Sequence, residues 1–129
     1  MFDWFKDLFK KSDKPLMEDE SVRPWGHYEV LYGGDDCKVK RIVVKPNGKL
    51  SYQVHQKRAE DWVVISGHGI VTLNDVISAV GPRDRIHIPT GMKHRIQNTG
   101  TADLVFIEVQ TGFYFGEDDI IRLDDIYGR

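Results

Sequence analysis

The sequence has one cysteine in 129 residues, Cys37, so an internal disulfide is excluded and a reducing compartment is favoured. It has no apolar run near the ~18 residues that a membrane-spanning helix needs. Its N-terminus has neither the apolar core nor the cleavage site of a signal peptide, and we therefore expect a cytoplasmic protein without a membrane span. The excess of acidic over basic residues is also small: the formal net charge is −2, which gives no electrostatic case for nucleic-acid binding. What is present, 40% hydrophobic and 29% charged residues, is typical of one globular domain.

The first residues have the pattern of a short amphipathic helix. In residues 1–11, apolar side chains recur at helical spacing at Phe2, Phe5, Leu8 and Phe9. Three partners fit this apolar face: the barrel of the same chain, a second subunit, or a membrane surface. The polar stretch "KSDKPLMEDES" that follows is typical of a linker. We therefore divide the chain into a helix with its linker, residues 1–20, and a main domain, residues 21–129.

The main domain consists of short β-branched or alternating runs such as "CKVKRIVVK" and "LVFIEVQ". Turn residues separate them, for example at Pro46-Asn47-Gly48 and Asn74-Asp75. This pattern predicts an all-β domain, either an antiparallel sandwich or a closed barrel. The last stretch, "GEDDIIRLDDIYGR", breaks the alternation. There we expect a short helix or loop that starts near Glu117 and buries Ile120, Ile121, Ile126 and Tyr127.

Polar groups with metal-ligand chemistry concentrate in "QVHQKRAEDWVVISG". Residues two apart on a strand share a face, so Gln53 and His55 point the same way, and Glu60 follows across a tight turn. Far along the chain, "IPTGMKHRIQN" contributes His94. Two imidazole nitrogens and two oxygens suit Zn²⁺, Mn²⁺, Fe²⁺, Co²⁺ or Ni²⁺. A single histidine on a strand is more often exposed or hydrogen-bonded, so a solvated strand edge is the alternative.

The spacing of these residues resembles that of the cupin superfamily. The first cupin motif is matched by Asn47-x5-Gln53-x-His55-x4-Glu60-x6-Gly67, and the second by Pro89-x-Gly91-x2-His94-x3-Asn98. Asn47 and Arg83 stand where cupins commonly have glycine, and asparagine tolerates a positive φ.

A narrower resemblance covers Arg23 to the end, through "RPWGHYEVL", "IPTGMKHRIQN" and "IEVQTGFYFGEDDIIRLDDIYGR". These stretches are similar to the C-terminal domain of type II mannose-6-phosphate isomerases, which is often fused to a mannose-1-phosphate guanylyltransferase. The resemblance implies a cupin fold, that is, a double-stranded β-helix or jelly-roll barrel, here with an N-terminal helical extension. It also implies a metal-dependent isomerase that interconverts mannose 6-phosphate and fructose 6-phosphate.

The resemblance also assigns roles to residues. One divalent metal, zinc before manganese, iron, cobalt or nickel, is expected on Gln53, His55, Glu60 and His94. Arg58 is expected in the active site, although a surface arginine paired with Asp61 would look the same in sequence.

The run "LVFIEVQ" places Glu108 and Gln110 on the same face as Leu104 and Phe106. A carboxylate in such an apolar wall is costly unless it is paired, and its pKa rises toward that of a useful base. We therefore predict that Glu108 is catalytic. A buried structural ion pair with Arg23 or Lys40 is the alternative.

A sugar phosphate also requires cations, because a guanidinium fork matches phosphate oxygens. The candidate substrate-binding residues are Arg23, Lys40, Gln110, Arg122 and Arg129. Each arginine has the alternative of pairing with the acids of "EDD" and "LDD". Trp25 and Trp62 are expected to be packing residues.

Two other functions fit the same pattern. One is an isomerase, epimerase or lyase of another sugar or uronate, and the other is a non-catalytic sugar-binding cupin, because one fold supports many chemistries. The expected partners are a sugar phosphate and a second copy of the chain. We expect a homodimer for two reasons. The predicted helix has an apolar face, and in "VVI" at residues 63–65 only alternate side chains can point into the core, which leaves apolar side chains on the outer face.

Overall fold

The structure is a computed structural model, and it describes residues 21–129. In this part of the chain every named element is a strand. In chain order they are β1 (Val22–Arg23), β2 (Gly26–Gly33), β3 (Cys37–Val44), β4 (Tyr52–Val54), β5 (Arg58–Ser66), β6 (Gly69–Leu73), β7 (Val76–Val80), β8 (Arg85–Ile88), β9 (His94–Asn98), β10 (Leu104–Gly112) and β11 (Ile121–Asp124).

The strands form two antiparallel sheets that enclose one core. The larger sheet has the order β1-β2-β3-β10-β5-β8 and the smaller one β11-β4-β9-β6-β7. Neighbouring strands are mostly far apart in sequence, as in a jelly roll, where the chain crosses between the sheets repeatedly. The all-β class predicted from the alternating runs is confirmed.

Alternation along β5 decides which side chains face the core. Trp62 and Val64 are buried, while Val63 and Ile65 between and beyond them are exposed. Trp62 packs against Phe106 of β10, with ring centroids 4.7 Å apart. The same parity that buries these apolar residues also carries Glu60 inward, at 1% exposure.

Positive φ angles occur at the predicted turns. Asn74 and Asp75 have φ of 45° and 70° and join β6 to β7 as a two-residue hairpin loop. Asn47 (φ 67°) and Arg83 (φ 73°) occupy the positions where cupins commonly have glycine, and both adopt the left-handed conformation that favours glycine there. Gly67 is required for space as well, because a Cβ atom would lie 2.4 Å from the carbonyl oxygen of Asp103.

The C-terminal segment differs from the prediction of a helix or loop that buries its isoleucines. Residues 113–120 form a loop, but Ile121–Asp124 form β11, which pairs with β4. Ile121 and Ile126 are exposed, at 45% and 57%, whereas Tyr127 packs against the core. The edge of β4 offers unpaired backbone groups, and pairing with them outweighs the weak helical pattern of this segment.

The predicted N-terminal helix and the domain boundary near residue 20 lie outside the described residues. In residues 21–129, no helix has the length and apolarity to traverse a lipid bilayer.

Candidate metal centre

Three predicted ligands from different parts of the fold meet at the base of a cavity. Glu60 comes from β5, His94 from β9 of the other sheet, and His55 from the loop between β4 and β5. Each offers one ligand atom, and these atoms lie within 4.8 Å of one another. His55 Nε2 is 3.0 Å from Glu60 Oε1, and His94 Nε2 is 3.8 Å from Glu60 Oε2. All three side chains are buried, so the cluster is a built feature of the fold.

Backbone carbonyls fix both imidazoles in the tautomer that suits a metal. Nδ1 of His55 donates to the carbonyl oxygen of Asp119 over 2.6 Å, and Nδ1 of His94 donates to that of Met92 over 2.9 Å. A carbonyl only accepts, so each Nδ1 carries a proton and each Nε2 is the nitrogen left to face the cluster. His94 Nε2 is buried and has no hydrogen-bond partner within residues 21–129. This orphaned acceptor beside a carboxylate and a second imidazole fits a divalent metal ion.

The electrostatics of the cluster keep its side chains in the protonation states that bind metal ions. Burial lowers the pKa of His94, against the opposing charge of Glu60, so its imidazole is neutral at pH 7. Burial alone would raise the pKa of Glu60, but hydrogen bonds from His55 and Glu108 and the nearby imidazoles hold it well below its usual range. A neutral imidazole and an ionised carboxylate are the states that bind metals.

Gln53 lies next to this cluster. It pairs with His94 across β4 and β9 and lines the cavity. Its Oε1 accepts a hydrogen bond from the Ser51 hydroxyl over 3.3 Å. Its place as the fourth ligand stays a prediction.

Arg58 is buried beside the ligands, and it does not pair with Asp61 at the surface. Its Nε and Nη2 lie 3.0 and 2.9 Å from Glu60 Oε1, and Nη2 lies 3.3 Å from His55 Nε2. Asp61 points outward instead and accepts from His87 over 2.7 Å. The remaining nitrogen of Arg58, Nη1, is buried without a partner within residues 21–129.

Glu108 is held by hydrogen bonds at the base of the cavity. Trp62 Nε1 donates to Glu108 Oε1 over 3.1 Å and to Glu60 Oε2 over 2.9 Å, and Gln110 Nε2 donates to Glu108 Oε2 over 2.9 Å. Burial, followed by the charge of Glu60 and a hydrogen bond with it, raises the pKa of Glu108 to about 8. Trp62 therefore does more than the packing that its sequence context indicates.

The cavity unites most of the predicted site residues. Of the predicted set, only Gln110 and His94 do not line it, and both side chains are fully buried. The cavity and the solvent space at its opening together span about 560 Å³. Four basic side chains are among the residues that line the cavity: Arg23, Lys40, Arg122 and Arg129.

Two acidic residues that the sequence pattern offers only as arginine partners are part of the site. Glu117 pairs with Lys40 and, over 3.1 Å, with Lys38. Asp119 is buried and contacts the loop that carries His55. The run Glu117-Asp118-Asp119 is visible in the sequence, but nothing local shows which of its carboxylates turns inward.

Comparison with known proteins identifies the family. The chain matches the family described as "Mannose-6-phosphate isomerase C-terminal" over residues 10–125. The chain belongs to this family. Mannose-1-phosphate guanylyltransferase ManC of Salmonella typhimurium is 45% identical over 113 residues, which are 88% of this chain and 24% of that protein. The xanthan biosynthesis protein XanB of Xanthomonas campestris is 48% identical over 107 residues, 83% of this chain and 23% of that protein.

This member of the mannose-6-phosphate isomerase C-terminal family thus spans about a quarter of the length of these relatives. Solved structures confirm its cupin fold. A Klebsiella pneumoniae protein with a double-stranded β-helix domain aligns with a TM-score of 0.69 at 22% identity, over 83% of this chain and 94% of that one. A putative sugar phosphate isomerase from Acidithiobacillus ferrooxidans aligns with a TM-score of 0.66 at 20% identity, over 83% and 76%.

Proposed function

We propose that the chain is a metal-dependent isomerase that interconverts mannose 6-phosphate and fructose 6-phosphate. One observation carries the proposal: a buried cluster of His55, Glu60 and His94 borders a cavity that basic side chains also line. A polar sugar with a phosphate at its far end matches that distribution of metal-type donors and cations. Family membership supports the same reaction class.

We assign the metal to His55, Glu60 and His94, with Gln53 as the fourth ligand. This set accepts several divalent ions, and zinc is the first to test. A divalent ion bound there supplies Lewis acidity at the carbonyl and hydroxyl of C1 and C2. The chain's own contribution is to hold the two imidazoles in one tautomer and the carboxyl group of Glu60 in its ionised form.

Isomerisation moves a proton between C1 and C2, and we assign that transfer to Glu108. Its carboxyl group lines the cavity and is held by Trp62 on one oxygen and Gln110 on the other. A carboxyl group held in place at the wall of the cavity is suited to general acid–base catalysis on a sugar bound there. Arg58 orients Glu60 and keeps a free Nη1–H for a sugar oxygen.

We assign the phosphate to the basic side chains that line the cavity. Arg122 projects from β11 and has no carboxylate partner within residues 21–129. Lys40 and Arg23 lie on the facing sheet, where both contact the ring of Tyr28. Arg129 is already paired with Asp125 over 2.8 Å, so it is the weakest member of the group.

We also propose that the working unit is a homodimer. Parity along β5 leaves Val63 and Ile65 exposed on the outer face of the larger sheet. An apolar sheet face favours association with a second copy.

The decisive experiment is to incubate zinc-loaded protein with mannose 6-phosphate and follow fructose 6-phosphate. We expect turnover that a chelator abolishes, and we expect His94→Ala to lose most bound zinc together with the activity. His87→Ala is the matched control, because His87 is an exposed histidine of β8 outside the cavity.

Elemental analysis separates the parts of the proposal. An unchanged zinc content in His94→Ala would contradict the ligand assignment. Stoichiometric zinc without turnover, but with sugar binding, would identify a non-catalytic cupin instead. Turnover of a different sugar would keep the isomerase and change its substrate.

A further inference from the structure

Asp119 connects the C-terminal loop to the loop that carries a metal ligand. Its carboxylate accepts hydrogen bonds from the backbone N–H groups of Gln56 and Lys57, each over 3.0 Å. Its carbonyl oxygen accepts from Nδ1 of His55 over 2.6 Å. Its own N–H donates to the Gly116 carbonyl over 3.1 Å, which closes a turn. One residue, 7% exposed, thus contacts three consecutive residues more than sixty positions earlier in the chain.

These contacts bear on the chemistry of His55 because a neutral imidazole carries its proton on either nitrogen. With the Asp119 carbonyl at Nδ1, a proton stays on that nitrogen, and Nε2 is the nitrogen that faces Glu60. Nε2 itself lies between a donor, Arg58 Nη2 at 3.3 Å, and an acceptor, Glu60 Oε1 at 3.0 Å, so its surroundings alone do not fix where the proton lies. The tautomer therefore depends on the position of the Asp119 carbonyl.

The carboxylate of Asp119 is what holds that carbonyl in place. Residues 113–120 form a loop without strand pairing, so no sheet fixes their distance from His55. The two hydrogen bonds to Gln56 and Lys57 are charge-assisted and involve backbone groups that would otherwise need another acceptor. Without them, both loops lose the contact that sets the His55 Nδ1 distance.

We propose that Asp119 is the positioning residue for the metal ligand His55: its carboxylate docks the C-terminal loop so that its carbonyl fixes the Nδ1–H tautomer. This inference rests on the proposed metal site. It also ties the cavity-lining side chains of the same loop, Glu117 and Ile120, mechanically to that ligand.

The test compares Asp119→Ala, Asp119→Asn and the control Asp118→Ala. Asp118 is the adjacent carboxylate, and it accepts from the hydroxyl of Tyr114 and forms no hydrogen bond with residues 55–57. The first readout is the dissociation constant of Zn²⁺ alone, by competition with a chromophoric chelator. The second is the tautomer of His55 in zinc-free protein, from its ¹⁵N imidazole shifts.

We expect Asp119→Ala to weaken zinc binding about 10–100-fold, the usual effect of losing such a supporting contact. Asp119→Asn keeps one acceptor oxygen, so an intermediate loss is expected, and Asp118→Ala should bind zinc like the wild type. The His55 signals should change from Nδ1–H to a mixture of tautomers in the order Asn, then Ala. If Asp119→Ala does not fold, Asp119→Asn and its tautomer give the answer.

Unchanged zinc affinity and an unchanged Nδ1–H signal in both Asp119 variants would overturn the inference while leaving the metal site intact. A wild-type protein that binds no zinc would instead contradict the proposed function. In that case the His55 tautomer in the variants still decides whether Asp119 positions the ring.

Discussion

Four ionisable side chains that line the cavity are buried: Lys40, Arg58, Glu60 and Glu108. Burying a charge costs several kcal/mol per ion, and a buried ion pair rarely repays that cost by itself. Each of the four has a partner: Lys40 has Glu117, Arg58 has Glu60, and Glu108 has Trp62 and Gln110. Apolar residues of equal volume would serve stability as well, so chemistry is the reason we infer for this cluster.

Substitution of Arg122 tests phosphate binding separately from folding stability. Its side chain is exposed, lines the cavity and has no carboxylate partner within residues 21–129, so Arg122→Ala removes little from the folded state. We expect the KM for mannose 6-phosphate to rise about tenfold, as for loss of a charged hydrogen bond, with a small change in kcat. Steady-state kinetics and thermal melting measure the two effects separately.

The matched control is Arg85→Ala, because Arg85 is also exposed but lies on β8 and does not line the cavity. It should leave KM unchanged. An unchanged KM in Arg122→Ala together with a large drop in melting temperature would mean that Arg122 is structural.

Among the elements, the loop of residues 113–120 contributes most to the cavity without belonging to a sheet. Two of its acidic side chains attach it to the rest of the fold: Glu117 to the lysines of β3, and Asp119 to the loop before β5. Attachment by polar side chains makes its docking dependent on charge, and hence on pH.

Glu117 should make a measurable pH-dependent contribution to stability. Partial burial raises its pKa, but the charges and hydrogen bonds of Lys40 and Lys38 outweigh this and hold the pKa at about 2, below the ordinary 4.5. The folded-state pKa is depressed, so the stabilisation is fully present above pH 4.5 and is lost as the pH falls to about 2.

Because the Glu117 side chain is 45% exposed, solvent screening reduces its contribution, and we expect Glu117→Gln to lower the free energy of unfolding by about 1 kcal/mol at pH 7. Urea unfolding at pH 7, 4 and 2.5 should show this difference shrinking toward zero. The control Glu29→Gln removes an exposed carboxylate 3.8 Å from Arg41 and should have a smaller effect. A difference that is constant from pH 7 to 2.5 would argue against the ion pairs as its cause.

At the scale of the whole molecule, the outer face of the larger sheet is rich in apolar residues. The strand register places Ile107 of β10 beside Val63 of β5, and Val109 of β10 beside Val39 of β3. These four side chains lie on the face of the sheet opposite to the one that carries Glu108. Ile65 continues this outer face with 52% of its surface exposed. Burial of such a face at ~25 cal/mol per Å² would drive association.

We therefore expect full-length protein to be a homodimer by light scattering, and Ile65→Lys to make it monomeric. Val76→Lys is the control, since Val76 is an exposed apolar residue of the other sheet. Deleting residues 1–14 tests the N-terminal segment: loss of the dimer places the segment in the interface, and an intact dimer assigns the interface to the sheet. A monomeric full-length protein would refute the dimer itself.

Along a strand such as β10, the sequence by itself determined which side chains face the core. Side chains alternate along a strand with a period of two, so the positions of Leu104 and Phe106 also determine the inward direction of Glu108 and Gln110. The same local rule, together with the motif spacing, predicted that His55, Glu60 and His94 lie together. Turn residues such as Asn47 were recognisable because few residue types tolerate a positive φ.

Only the tertiary structure decided which residues become partners. The carbonyl at His55 Nδ1 comes from Asp119, 64 positions away, and the carboxylate at Lys40 comes from Glu117, 77 positions away. The sequence offered Asp61 and the acids of "LDD" as equally good partners for basic residues. It also offered a short helix or loop where β11 forms, because the segment that pairs with the free edge of β4 carries no local signal of that edge. Local pattern sets the direction of a side chain, but its partner depends on which strands pair and in which register, and that is a property of the whole chain's packing.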